Sequence, residues 1–207
     1  MSLIINPFDY LTYMQLRQDN ILQDITPKDM PLEKGLIGVY CGDGDQLTDV
    51  IKHTLSMFAQ NNVPPRPHII ALNGGPLLIH PKSPVHNGTV MDNIVESERM
   101  KAIDTVVLQI HIPCGKAAKY DISLPQAMQL TIAAKEYVKG MYGYKVLCLL
   151  HVDRTSLAGP NALEGKRTYF FSAKKAAEWL RDHEHKAPAT KSRPAKPLMK
   201  LVPPGGA

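Results

Sequence analysis

The feature that most constrains the fold is an alternation of short apolar runs with longer segments of helical periodicity. The apolar runs are rich in β-branched residues and are bounded by Gly, Pro or Asp, which is typical of buried strands. The helical segments between them suit crossover connections. The pattern predicts an α/β fold with a mostly parallel sheet flanked by helices on both faces. The predicted strands are "LIGVYC", "HIIAL", "DTVVLQIH", "YKVLCLLHVD" and "RTYFF".

The chain of 207 residues divides into three segments. Residues 1–34 are predicted to form an N-terminal helical arm, because "FDYLTYMQLRQDNIL" has helical apolar spacing and the breaker-rich "TPKDMPLEKG" follows it. Residues 35–184 form the α/β domain. Residues 185–207 hold five prolines and five basic residues without an acid. This tail is either a solvated appendage or an extended segment that docks on a protein or an anionic partner.

One helix is predicted with a defined buried face. In "DQLTDVIKHTLSMFAQN", which follows the first long strand, helical spacing brings several apolar side chains to one side. We expect that side to pack on the sheet. Its members are Leu47, Val50, Ile51, Leu55 and Phe58.

Charge and cysteine usage narrow the function classes. Of the 24 basic residues five lie in the tail, which leaves 19 against 19 acids in the rest of the chain, so a basic nucleic-acid face is not expected there. No apolar run reaches about 18 residues, and the N-terminus does not resemble a signal peptide. Three cysteines do not form a disulfide framework. We therefore expect a cytoplasmic protein without a membrane span.

Three potential metal ligands stand at the ends of predicted strands. Cys41 ends "LIGVYC", His111 ends "DTVVLQIH", and Cys114 follows His111 by three positions. In a parallel sheet the carboxyl ends of neighbouring strands meet at one edge. Two thiolates and an imidazole suit Zn²⁺ and leave a fourth position for water or another group. Asp43, two residues after Cys41, is the candidate for that position or for a contact behind the ligands.

A buried cysteine is most often a small hydrophobic residue, and this alternative applies to each cysteine taken alone. Cys148 lies in the middle of the strand "VLCLL" and is assigned to the core. His151 and Asp153 follow the same strand without a second ligand pair, which indicates an ordinary polar strand end.

The two metal motifs together resemble those of the β-class carbonic anhydrases. "VYCGDGD" is similar to the family's Cys-x-Asp-x-Arg motif, and "HIPCG" matches its His-x-x-Cys-Gly motif. "LNGGPLLI" is similar to the Arg-Asn-Ala-Gly segment between them. The resemblance covers residues 35 to 151, and the pair of zinc motifs is its specific part.

The resemblance implies a zinc held by Cys41, His111 and Cys114, with the site near the interface of a homodimer or higher oligomer. It implies the reversible hydration of carbon dioxide to bicarbonate by zinc-bound hydroxide. It also implies that the arm of residues 1–34 wraps the partner subunit.

The chain departs from the motif at Asp45, which stands where the family has Arg, and at Leu72, which replaces the Arg of the middle segment. The family's Asp–Arg pair holds the carboxylate away from zinc. Two hypotheses follow for this chain: Asp43 ligates zinc and closes the site, or another cation holds it. Lys116 is the nearest candidate cation in the sequence, and an Arg of a partner subunit is the other. Asp43 and Asp45 are therefore the candidate catalytic residues.

Three functions remain open from the sequence. The first is a zinc enzyme acting on carbon dioxide or a related small molecule such as carbonyl sulfide or carbon disulfide. The second is a catalytically impaired assembly protein whose zinc joins two strand ends. The third is a nucleotide-binding protein, which is weak because "CGDGDQ" and "LNGGPL" lack the G-x-G-x-x-G and P-loop spacings.

Overall fold

A six-stranded sheet forms the centre of the molecule. The computed structural model describes residues 4–25, 30–155 and 165–183. In spatial order the strands run β1-β6-β5-β4-β2-β3. Strands β3, β2, β4 and β5 are parallel, while β6 and β1 are antiparallel to their neighbours, which confirms a mostly parallel sheet. The bounds are β1 (Leu22–Asp24), β2 (Leu36–Tyr40), β3 (Pro67–Ala71), β4 (Thr105–Ile112), β5 (Lys145–Asp153) and β6 (Lys166–Phe171).

Helices cover both faces of the sheet, as the alternation predicts. Side chains of α1, α3, α5 and α6 share one core cluster with the sheet, and those of α2 share a second cluster on the opposite face. The bounds are α1 (Pro7–Gln18), α2 (Gly44–Gln60), α3 (Thr89–Lys101), α4 (Gly115–Lys119), α5 (Leu124–Tyr142) and α6 (Ala173–His183), with a 3₁₀ turn at Gly75–Leu78.

The buried face of α2 contains the predicted Val50 and Phe58, with Leu47 packed beside them, but not Leu55. Leu55 is 40% exposed, whereas the polar Gln46 and Thr54 point inward. Both polar side chains find partners there: Gln46 Nε2 donates to Asp153 Oδ2 at 2.6 Å, and Thr54 Oγ1 lies 2.8 Å from the Tyr40 hydroxyl. These hydrogen bonds offset part of the cost of burying the two side chains, although Gln46 Oε1 has no partner among the described residues. The buried positions are Gln46, Val50, Thr54, Met57 and Phe58.

The N-terminal segment contributes to the fold of its own chain. Helix α1 packs on α5, and β1 adds an edge strand that pairs antiparallel with β6. The Tyr13 and Tyr169 hydroxyls lie 2.8 Å apart, and Trp179 Nε1 donates to Asp19 Oδ2 at 2.7 Å. The three residues of β1 carry too little pattern for a strand to be predicted. The wrapping of a partner subunit by this segment stays a prediction, as do the three segment boundaries.

The basic, proline-rich tail lies outside the described residues, and so do the predictions made for it. None of the helices in the described ranges combines the length and apolar character that crossing a bilayer requires. The cytoplasmic location stays a prediction.

Candidate metal centre

The carboxyl ends of β2 and β4 bring the three predicted ligands together. Cys41 directly follows β2, His111 is the penultimate residue of β4, and Cys114 precedes the first residue of α4. Because β2 and β4 are parallel neighbours, these ends meet at one edge of the sheet. One ligand atom from each of the three buried side chains lies within 4.8 Å of the other two.

The chemistry of this cluster fits a zinc ion. Ligands of a tetrahedral zinc lie roughly 3.5–3.8 Å apart, given Zn–S and Zn–N bonds of about 2.3 and 2.0 Å. Both ring nitrogens of His111 are buried without a hydrogen-bond partner among the described residues. An unpartnered buried imidazole is costly unless something binds it, and a metal beside two thiols is such a partner.

Hydrogen bonds prepare the thiols for ligation. The Cys114 thiol, the neighbouring His111 and the Gly74 N–H, 3.2 Å from Cys41 Sγ, together hold the pKa of Cys41 below its ordinary value. The pairing with Cys41 and burial raise the pKa of Cys114. These contacts favour the thiolate form of Cys41. A thiolate is the form that ligates a metal.

The glycines of "LNGGPLLI" allow this loop to lie directly on Cys41. Gly75 has φ +48°, and a Cβ placed on it would lie 2.8 Å from the Cys41 backbone nitrogen. Gly74 has φ +107° and supplies the N–H that Cys41 accepts. Residues with a side chain rarely adopt such angles. The two glycines thus hold the loop against the end of β2.

Asp43 and Asp45 form the first turn of α2 beside the cluster. Asp43 is the N-cap, and its Oδ1 accepts the Asp45 N–H at 3.1 Å. Asp45 is exposed to solvent. Within the part of the chain that the structure describes, the side chains that could share one metal ion are Cys41, His111 and Cys114, without Asp43.

Among the described residues, Lys166 contacts this turn, and it does so through the Asp45 backbone rather than through the Asp43 carboxylate. Lys166 Nζ donates to the Asp45 carbonyl oxygen at 3.0 Å and to Asp49 Oδ2 at 2.6 Å. The Lys116 ammonium instead lies 5.0 Å from the centre of the Tyr120 ring. The sequence does not single out Lys166, because 121 positions separate it from Asp45 and only the β5–β6 pairing brings it there.

A small cavity of about 70 Å³ adjoins the three ligands. Its wall is largely apolar, with polar groups from Asn6 and Asp9. Both residues belong to the start of α1, and the sequence analysis missed them because nothing in the local pattern shows where α1 docks. The apolar part of the wall includes Ile5, Leu77, Ile110, Ala117, Ile122 and Leu124.

His151 lies next to His111, since the two are register partners on β5 and β4. It is 3% exposed, unlike the ordinary polar strand end that the sequence indicates. Its Nδ1 lies 2.9 Å from Thr168 Oγ1, and burial lowers the pKa of His151 to about 4, so the ring is neutral near pH 7. The sequence places a histidine near the end of both strands, in "QIHI" and in "LLHV". That the two histidines are neighbours follows only once the register of β4 and β5 is known.

Cys148 is fully buried in the core cluster, in agreement with the sequence analysis. Burial raises the pKa of its thiol to about 12. It is therefore a neutral hydrophobic side chain and serves as a control for the other two cysteines.

Neither a scan of protein-family models nor a search of curated protein sequences finds a match. Among solved structures, this chain is similar to the carbonic anhydrase of Streptococcus mutans, with 13% identity and a TM-score of 0.41 over 82% of this chain and 100% of that one. It is also similar to the β-carbonic anhydrase CafA of Aspergillus fumigatus, with 11% identity and a TM-score of 0.39 over 84% of this chain and 93% of that one.

A third solved structure, the periplasmic domain of a lipopolysaccharide acetyltransferase from Salmonella Paratyphi A, has 10% identity and a TM-score of 0.34 over 86% of this chain and 76% of that one. Likenesses at these values carry no argument about activity.

Proposed function

We propose that this chain binds zinc through Cys41, His111 and Cys114 and catalyses the reversible hydration of carbon dioxide. The observation that carries the proposal is the approach of these three buried ligand atoms to within 4.8 Å of one another. The unpartnered nitrogens of His111 support it, and so does the resemblance of both motifs to those of β-class carbonic anhydrases.

The size of the cavity supports the proposal that the substrate is a very small molecule. A volume of about 70 Å³ accepts a molecule of a few heavy atoms beside the ligands. Its largely apolar wall suits a linear molecule without charge, because such a molecule loses little hydration on entry. Carbon dioxide has these properties, and carbonyl sulfide and carbon disulfide share them. A nucleotide is too large for this space.

The capping of α2 supports an open fourth coordination position. Asp43 uses Oδ1 to accept a backbone N–H of α2, and the positive end of the helix dipole favours its carboxylate there. In the family, the Arg of the motif holds this carboxylate away from the metal. Here the backbone N–H of Asp45 would hold it instead. Asp45 contributes through its backbone, so its side chain need not be Arg.

Zinc bound here would supply a Lewis acid that makes water a nucleophile near neutral pH. The chain's residues do the rest. The two cysteines would balance the charge of the ion as thiolates, and the Gly74 N–H orients Cys41. The apolar wall holds carbon dioxide and keeps bulk water out.

The alternative function is a structural zinc in a catalytically impaired assembly protein. One observation in its favour is the position of the three side chains, because a metal held by them would join the ends of β2 and β4. The other is that Asp45 and Leu72 stand at the two positions where the family motif has Arg. A homodimer and a partner for the basic tail also stay predictions.

Stopped-flow carbon dioxide hydration by the wild type and Asp45→Arg separates the two functions. Because Asp43 is already held by a backbone group, we expect an active wild type and an Asp45→Arg protein whose kcat/KM differs by less than about tenfold. The matched control is Asp92→Arg, an exposed acid in the first turn of α3. An inert, zinc-loaded wild type that gains activity on Asp45→Arg would show a closed site. Inertness of both would favour the structural zinc.

A further inference from the structure

Asp9 is a buried carboxylate that the proposed function leaves without a role. It is 8% exposed and lies on α1, in the wall of the cavity that also contains Cys41, His111 and Cys114. Among the described residues that line this cavity, it carries the one carboxylate. An acid is rarely buried in a largely apolar wall unless it is paired or used.

Two short hydrogen bonds fix the orientation of this carboxylate. Asn6 Nδ2 donates to Oδ2 at 2.6 Å, and the Leu124 N–H donates to Oδ1 at 2.6 Å. A carboxylate offers about four lone-pair sites, so each oxygen retains acceptor capacity. The group is thus held rigidly and can still accept a hydrogen bond or a proton from the cavity.

Burial makes Asp9 a better base than an exposed aspartate. It raises the pKa of Asp9, and the bonds from Leu124 and Asn6 only partly offset that effect. The other titratable groups of the cavity wall are Cys41, His111 and Cys114. A zinc ion held by the two thiolates and the imidazole would have its charge balanced by the thiolates, so metal binding would not cancel the basicity of the carboxylate.

We propose that Asp9 is the proton acceptor of this cavity, taking a proton from the water molecule that attacks carbon dioxide. The O–H bond of that water breaks with its electron pair staying on the oxygen, and a new O–H bond forms on an Asp9 carboxylate oxygen. The neutral acid then returns its proton to solvent or buffer. This inference rests on the proposed function and adds the base that the proposed function lacks.

The test compares Asp9→Asn with Asp19→Asn in zinc- and cobalt-loaded protein. Asp19 is a matched control, because it also accepts a structural hydrogen bond, from Trp179, but does not line the cavity. The amide oxygen introduced by Asp9→Asn would remain an acceptor for the Leu124 N–H. We expect Asp9→Asn to lower kcat at least about 100-fold in dilute buffer with little change in KM, and Asp19→Asn to leave both unchanged.

The cobalt spectrum gives a readout that does not depend on activity. A nearby negative charge opposes the loss of a proton from water, so the pH midpoint of the visible spectrum should move about one unit lower in Asp9→Asn and stay fixed in Asp19→Asn. If Asp9→Asn does not fold, Asn6→Ala replaces it. Loss of the Nδ2 donor raises the pKa of Asp9 and should move the acid limb of the pH–rate profile to higher pH.

The outcomes separate the two proposals. An active wild type with unchanged kcat and midpoint in Asp9→Asn overturns the role of Asp9 and leaves the proposed function standing. A wild type that is inert, with a cobalt spectrum independent of pH, overturns both.

Discussion

Replacing Cys41 by Ser is expected to abolish stoichiometric zinc binding. Contacts within the cluster lower the pKa of Cys41, and its Sγ already accepts the Gly74 N–H. A serine hydroxyl remains protonated at neutral pH and is a poor zinc ligand. Because changes behind a metal ligand cost roughly 10–100-fold in affinity, loss of the ligand itself should cost at least about 100-fold. The measurement is zinc content after dialysis, followed by competition with a chromogenic chelator.

Cys148→Ala is the control for this experiment. It removes a cysteine that is also buried but does not line the cavity beside His111, so its zinc content should equal that of the wild type. Its thermal unfolding corrects for any general loss of stability. Retention of one zinc per chain by Cys41→Ser, or loss of zinc by Cys148→Ala, would contradict the assignment of the ligands.

Replacing Gly75 by Ala should destabilise the fold and weaken the metal site together. The new Cβ would lie 2.8 Å from the backbone nitrogen of Cys41, and alanine is strained at φ +48°. Since the obstructing atoms are backbone, the loop must move away from the end of β2 and withdraw the Gly74 N–H from Cys41. We expect the free energy of unfolding to fall by more than about 2 kcal/mol, measured by urea denaturation, with weaker zinc binding.

Gly140→Ala is the control, and it should raise the free energy of unfolding rather than lower it. Gly140 is exposed near the end of α5, and a Cβ there meets no atom within 4 Å. Alanine in a helix is favoured over glycine by about 1 kcal/mol, so this variant should be slightly more stable with unchanged zinc content. Equal effects of the two substitutions would contradict the close approach of the loop to Cys41.

The sheet and the proximity of Cys41, His111 and Cys114 could be predicted because both follow from short-range patterns. The apolar runs rich in β-branched residues predict strands β2, β4 and β5. In a parallel sheet the carboxyl ends of neighbouring strands meet at one edge. That rule brings Cys41 to His111, and the three-residue spacing adds Cys114. The resemblance of the motif pair then indicates zinc as the metal.

What could not be predicted depends on contacts between distant parts of the chain. The buried face of α2 depends on the hydrogen bonds of Gln46 and Thr54 with residues of β5 and β2. Lys166 reaches Asp45 only through strand pairing. Asp9 enters the cavity only because α1 docks beside α5, where it accepts the Leu124 N–H. Local periodicity contains none of this information.

Zinc K-edge X-ray absorption of the purified protein would observe the metal and its ligands themselves. The structure predicts one zinc per chain with two sulfur ligands at about 2.3 Å and nitrogen or oxygen ligands at about 2.0–2.1 Å. One of those lighter ligands would be His111, and the other an exchangeable water. Protein purified without chelators that holds no zinc, or zinc bound only by nitrogen and oxygen, would contradict a metal centre built from Cys41, His111 and Cys114.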